Sequence, residues 1–180
     1  MSFQPPALNS FTDRVCIYLR PEAVNERVEI GHGEGDSIVG RGRLNGLHTE
    51  YERVTSVIRF ERLTRINADE TLRAMRTIFD LLPAKLKRST TLDNGSEMVR
   101  HAKLKKTGMK TYFADPYSAW QRGGGNENTN MWIRCYFPKG TDFSRISEEE
   151  LKDVEWELDN RRRKSLKFKT PESLFAYLNG

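Results

Sequence analysis

Two carboxylates stand where hard divalent cations could be gripped. Asp93 closes the apolar, β-rich run Ser-Thr-Thr-Leu and leads into Asn94-Gly95-Ser96-Glu97; Glu127 follows with 33 residues between, in Gly-Gly-Gly-Asn-Glu-Asn-Thr-Asn. Carboxylate oxygens suit such cations. A third ligand from upstream would let the set hold a metal pair. Gly-His-Gly-Glu-Gly-Asp-Ser-Ile-Val-Gly supplies it, and because Glu34 and Asp36 share one face of a strand, spacing alone leaves either as the ligand. An anionic phosphodiester resists attack, and two cations about 3.5–4 Å apart activate the attacking oxygen, neutralise the phosphate and stabilise the departing oxygen.

Each acid has a plainer explanation beside this one. Asp93-Asn94-Gly95 is a turn signal by itself. Glu127 at a helix start is favoured by the macrodipole by roughly 0.3–1 kcal/mol without any metal. Asn126, Asn128 and Asn130 around it are poor helix formers, so their amides point to a ligand or to loop geometry. His32 and Glu34 form a His-x-Glu pair of the zinc-deaminase kind, but the Pro-Cys-x-x-Cys partner is missing and Cys135 stands alone. Trp120 and Tyr117 beside Arg122 suit either a core or a stacking platform for a nucleic-acid strand. The run Arg161, Arg162, Arg163 and Lys164 reads as a solvated helix end, or as a backbone clamp beside a phosphodiester site, with Arg134 two helical turns beyond Glu127.

These residues need a scaffold, and 180 residues at 37% hydrophobic content can bury one sizeable core. A net charge of +5 favours an anionic partner. Cys16 and Cys135 are too few and too far apart for a zinc set, and reduced thiols in a cytoplasm are expected. No apolar run approaches the roughly 18 residues that span a bilayer, so a soluble chain with no membrane partner is expected. Residues 1–27, with Pro5, Pro6 and Pro21, read as an arm or leader. Strands are expected from Asp36 to Val39, from Gly46 to Glu52 and from Val54 to Arg62, the polar His48, Thr49, Glu50 and Glu52 making the second the weakest packer. Asn67 with Glu70 forms a capping box for a helix ending before Pro83. Ser89 to Leu92 delivers Asp93; a polar helix from Glu97 to Lys106, a strand from Thr111 to Ala114 and a helix capped by Asn126 and stopped by Pro138 follow. Ser147 with Glu150 caps the next helix, and Thr170-Pro171 opens the last. Periodicity alone gives an α/β alternation.

Asp36, Asp93 and Glu127 with their surrounding words resemble the acidic triad of DDE transposases, relatives of retroviral integrases, in the insertion-sequence-thirty group. Asn-Glu-Asn-Thr-Asn followed by Arg-Cys-Tyr-Phe-Pro-Lys-Gly-Thr-Asp, together with Asp-Pro-Tyr-Ser-Ala-Trp-Gln-Arg, carries the match. The resemblance selects Asp36 over Glu34. It implies a ribonuclease-H-like, integrase-type catalytic core over residues 28–180, with a mixed five-stranded sheet flanked by helices. It also implies two Mg2+ (or Mn2+) ions shared by Asp36 and Asp93 and completed by Glu127, water that cuts an element end, and a freed 3′-hydroxyl that attacks target DNA. Partners would be element ends and target DNA, contacted by Trp120, Arg122, Asn126, Asn130, Arg134, Arg161, Arg163 and Lys164, with several copies assembled on DNA at the nucleoid. Family members usually carry a helix-turn-helix reader ahead of the core, which 27 residues cannot hold. Gly33 replaces a usual tryptophan, Met131-Trp132 a glycine and an aliphatic, and Arg162 a proline. A nucleic-acid-binding remnant that no longer cuts, and a metal-dependent nuclease, are the alternatives.

Overall fold

The computed structural model describes residues 13–180. Three strands, β1 (His32–Val39), β2 (Gly46–Glu52) and β3 (Ile58–Leu63), run as an antiparallel meander. On the other side of β1 lie β4 (Ser89–Leu92) and β5 (Lys110–Phe113), both in parallel pairing, giving a mixed five-stranded sheet of order β3-β2-β1-β4-β5. A short α1 (Glu22–Asn25) precedes the sheet, and α2 (Ala68–Asp80), α3 (Gly125–Tyr136), α4 (Glu148–Asn160) and α5 (Pro171–Asn179) follow its strands.

Register decides which residues share a face. Glu34 pairs with Tyr51, Asp36 with Thr49 and Ile38 with Leu47, so these side chains line one face of the sheet. There Ile38, Leu47 and Tyr51 pack with Ile133 and Phe137 of α3 and Leu151, Val154 and Leu158 of α4. On the opposite face Leu72, Met75, Ile78 and Phe79 of α2 pack against Leu92, Met98, Leu104 and Phe113. Burying both faces beneath helices leaves the strand ends, not the strand middles, as the place for a site.

Local chemistry sets most boundaries. Asn67 Oδ1 accepts from the N–H groups of Asp69 and Glu70 at 3.0 Å, opening α2 as the capping box predicts. Ser147 caps α4 and Thr170 caps α5, with Pro171 in its first turn. The strand expected from Val54 begins only at Ile58. Glu52 turns back to accept from the N–H groups of Val54 and Thr55, and Ser56 takes a positive φ of 63°, which makes 53–57 a turn. The expected helix from Glu97 is two short 3-10 turns, Ser96–Met98 and His101–Thr107, the second ended by Gly108 in the left-handed region. Asn126 does not cap α3. Gly124 holds that position with φ 77°, and Asn126 lies inside the first turn.

The polar stretch of β2 packs after all. His48 Nε2 meets Glu50 Oε1 at 2.9 Å, and Thr90 donates to Glu50 Oε2 at 2.8 Å, all three being buried. A Cβ at Gly33 would stand 2.9 Å from that Glu50 carboxylate, so glycine at this position makes room for the buried acid. The part of residues 1–27 that is described docks on the domain: Val15 O accepts from Phe113 N, Arg14 donates to Ala114 O, and Val24 is buried. The rest of that expected arm lies outside the described residues. Helix α4 runs beside β3, where Asp159 accepts from Ile58 N–H at 3.0 Å and Glu155 from Phe60 N–H at 2.6 Å.

Candidate active site

β1 and α3 bring Asp36 and Glu127 to one cation. Arg122, 4% exposed, lies between them with Nη2 3.6 Å from Asp36 and 3.8 Å from Glu127, while Nη1 donates to Gly35 O. The two carboxylates therefore stand no further apart than those two contacts laid end to end. Asp36 Oδ1 accepts from Ser37 N–H at 2.8 Å, and Oδ2 from the Asn130 amide at 2.9 Å. The Thr49 hydroxyl lies between Asp36 O at 3.4 Å and the Asn130 carbonyl at 3.5 Å, and donates to one or the other. Glu127, on the solvent side of the first turn, keeps 46% of its side chain exposed.

Asp93 leaves the end of β4, next to β1, and its Oδ1 accepts from Gly95 N–H at 2.9 Å, closing an Asx turn. It acts electrostatically on Asp36. Burial pushes the Asp36 carboxyl up, Arg122 opposes this, and Asp93 adds to it. Glu97, absent from the candidates drawn from sequence, belongs to the same cluster: burial raises its carboxyl, and Asp93 and Asp36 raise it further. The signal was its place four residues after Asp93, on a single tight turn.

The helix that carries Glu127 depends on glycine at two points. A Cβ at Gly125 would lie 2.3 Å from the Tyr51 ring, so only glycine lets α3 approach β2 this closely, and Gly123 at φ 107° turns the chain into the helix. Since Gly124 offers no side-chain cap, an acceptor comes from elsewhere. Glu34, 0% exposed, accepts from Asn126 N–H at 3.2 Å through Oε2 and from Arg53 Nη1 through Oε1. Arg53 also donates to Arg122 O. Of the two acids that spacing left open, Glu34 is thus the buried helix cap, whereas Asp36 faces the site.

The remaining candidates divide by environment. Trp120 is 75% exposed, and Arg161 and Lys164 are exposed, Arg161 bonding to Glu157 and the Tyr136 hydroxyl. Three proposed DNA contacts prove inward-facing. Arg122 is the buried bridge just described, and Asn126 is fully buried with neither amide atom partnered. Arg163 stacks 4.3 Å above the Trp132 ring and donates to Leu158 O, a packing role in place of a phosphate clamp. Arg134 bonds Val39 O at 2.7 Å, tying α3 to the end of β1.

The donor chemistry fits a hard divalent cation. Asp93 raises the carboxyl of Asp36, and Asp93 with Asp36 raises that of Glu97, a repulsion that a cation would relieve. As they stand, no three acidic, imidazole or thiolate groups among the described residues are close enough to share a metal. Arg122 supplies the positive charge between Asp36 and Glu127.

No family model matches the chain. Its sequence is 40% identical over 165 residues to the transposase for insertion sequence element IS1086 of Cupriavidus metallidurans, covering 91% of this chain and 48% of that protein. It is 39% identical to transposase InsI for IS30A of Escherichia coli, covering 88% of this chain and 41% of that one. The chain is a relative of the insertion-sequence-thirty transposases. A third relative, the transposase for IS4351 of Bacteroides fragilis, is 36% identical over 170 residues, 92% of this chain and 50% of its own length. The chain thus spans about half the length of the curated relatives it matches. Among solved structures, the catalytic core domain of BIV integrase superposes with a TM-score of 0.63 at 13% identity, over 83% of this chain and 95% of that one. An intasome of simian T-cell lymphotropic virus gives 0.63 at 16% identity, over 81% of this chain and 54% of that one. The fold is the ribonuclease-H-like fold of integrase catalytic cores. No helix among the described residues is long and apolar enough to cross a membrane.

Proposed function

We propose that this chain is a transposase catalytic core that cuts the ends of an insertion sequence and joins them to target DNA. The observation that carries this reading is the meeting of Asp36 and Glu127 on Arg122 beside Asp93, in a chain related to transposases over most of its length. In this reading Asp36, Asp93 and Glu127 are the oxygen donors for two Mg2+ or Mn2+ ions. A bound pair supplies the Lewis acidity that activates the attacking oxygen and steadies the leaving one.

The chain's own groups do the rest. Asn130 and the Ser37 N–H hold Asp36 with its oxygens fixed, so it is preorganised before any ligand arrives. Arg122 offsets part of the negative charge of Asp36 and Glu127, and it would have to give up these contacts for the two acids to hold cations. Trp120, Arg161 and Lys164 remain exposed to contact DNA, which binds chiefly through its phosphates. Joining two element ends to one target calls for more than one copy of the site, so assembly of several chains on DNA belongs to the same proposal.

The test is divalent-ion-dependent cleavage and joining of labelled element-end DNA by the purified chain, beside Asp93→Asn. The variant keeps the shape and turn propensity of the side chain but loses its charge. Wild-type activity that falls by orders of magnitude in the variant, with metal-free DNA binding retained, supports the proposal. Binding without processing by wild type, even with an end-recognition domain supplied, replaces it with a DNA-binding remnant. Cleavage without joining makes the chain a nuclease.

A further inference from the structure

Behind the acidic site, across the turn that leads into α3, guanidinium groups outnumber carboxylates. Arg53 is 4% exposed and donates to Val24 O, Arg122 O and Glu34. Arg20, 7% exposed, is held by the neutral oxygens of Asn25 and Thr91. Arg27 is half-buried, and its Nη2 donates to Gly123 O at 3.0 Å. These side chains converge: a Cβ at Gly123 would stand 3.2 Å from Arg53 Nη1 and 3.3 Å from Arg27 Nη2. Among the described residues, Glu34 is the one carboxylate bonded to any of the three, and it already serves the α3 N-terminus.

Three guanidinium groups around one carboxylate leave a net positive charge in a partly desolvated place, and that charge is costly without a counter-ion. Its cost is visible at Arg20, lowered to about 10 by burial and by the neighbouring charges of Arg53 and Arg27. The planar fork of a guanidinium matches the oxygens of a phosphate, and at Arg27 the Nε and Nη1 groups have no partner among the described residues. The loop of Arg122 and Gly123 separates this basic cluster from the carboxylates, so one extended anionic strand can reach both.

We propose that Arg27, backed by Arg20 and Arg53 at the Gly123 turn, binds a phosphate of the DNA strand whose neighbouring linkage enters the carboxylate site. This inference rests on the DNA-processing reading above. It gives the segment ahead of the sheet a role in binding substrate.

The experiment is a salt series of fluorescence-anisotropy titrations with labelled duplex, using wild type, Arg27→Gln, Arg27→Lys and the control Arg145→Gln, whose arginine is exposed away from this turn. Thermal melts confirm that each variant is folded. Arg27→Gln should weaken binding about 5- to 10-fold and reduce the slope of log affinity against log salt by about 0.9, as loss of one phosphate contact requires. Arg27→Lys should keep the slope, and Arg145→Gln should change neither quantity. A single uncharged methylphosphonate linkage, walked along the strand, should weaken wild type at each contacted phosphate, and at one of these positions it should not weaken Arg27→Gln further. Wild type that binds DNA while Arg27→Gln keeps full affinity and slope overturns the inference and leaves the functional reading standing. Wild type that binds no DNA overturns that reading instead. If inorganic phosphate raises the melting temperature of wild type but not of Arg27→Gln, with DNA binding equal in both, the site takes free phosphate and the assignment to a strand is wrong.

Discussion

Replacing Glu34 should destabilise the domain more than any substitution among the metal-ligand candidates. Its carboxylate has no solvent to fall back on, and it joins Arg53 from the β2–β3 turn to the first turn of α3. Burial pushes the Glu34 carboxyl up and the Arg53 guanidinium down, so desolvation outweighs the attraction within the pair. The pair is therefore a poor source of net stability yet a costly thing to break. Glu34→Ala strands a buried guanidinium, costing about 3–5 kcal/mol, and leaves the Asn126 N–H without an acceptor, worth about 1–3 kcal/mol alone; the two overlap, so about 3–5 kcal/mol is expected overall. For a chain of this size that is a fall of roughly 6–20 °C in melting temperature. Glu34→Gln keeps an acceptor for Asn126 and should cost less. The double variant Glu34→Gln, Arg53→Met should cost less than the two single changes summed, because it removes both charges. Urea unfolding of wild type, Glu34→Ala, Glu34→Gln, Arg53→Met and the double variant reads this directly. A loss below about 1 kcal/mol in Glu34→Ala, or strict additivity in the double variant, would refute the network as described.

Other outcomes follow from contacts already named. Gly125→Ala forces a Cβ into the Tyr51 ring and should cost about 1–3 kcal/mol in unfolding free energy, partly recovered when Tyr51 is also shortened to leucine. Burial raises the Glu155 carboxyl to about 7 and that of Asp159 to about 6. Because the folded state then holds these protons more tightly than the unfolded chain, their contribution to stability is complete below about pH 4 and is lost as pH rises through 6 and 7. Unfolding measured from pH 4 to 8 should show a shallower decline in Glu155→Gln than in wild type; parallel curves would count against it. Arg161 and Lys164 changed together to alanine should weaken DNA binding and flatten its salt dependence. Arg163→Ala, which loses its stack on Trp132, should instead lower the melting temperature with the salt slope unchanged.

The starts of α2, α4 and α5 were legible because each is written in short-range chemistry: Asn67 with Glu70, Ser147 with Glu150, Thr170 with Pro171. The turn at Asp93 was legible for the same reason, its carboxylate bonding two residues ahead. The mixed sheet was not, since periodicity gives only an α/β alternation and the sheet came from the family resemblance. What stayed hidden depends on distant partners. Nothing near Glu34 in the chain announces that Arg53 will meet it, or that its second oxygen will cap a helix 92 residues on. Arg122 looked like a surface cation beside an aromatic pair, and only the fold turns it inward between two acids. In β2 the polar side chains read as poor packing, since the space for Glu50 comes from Gly33 on the neighbouring strand. The late start of β3 was missed because Glu52 spends its carboxylate on the backbone of its own turn.

The carboxylates that α4 lays along β3 have a consequence for how chains meet. Strand β3 is one rim of the sheet, and an open rim is a template for a strand from another molecule. Glu155 and Asp159 occupy the N–H groups of Phe60 and Ile58 that an incoming strand would need. At the far rim, the segment around Val15 and Cys16 lies against Phe113 and occupies β5 in the same manner. These contacts blunt both rims against fibril-like addition of strands. Changes at Glu155 and Asp159 that bare the rim should be read first as aggregation risks.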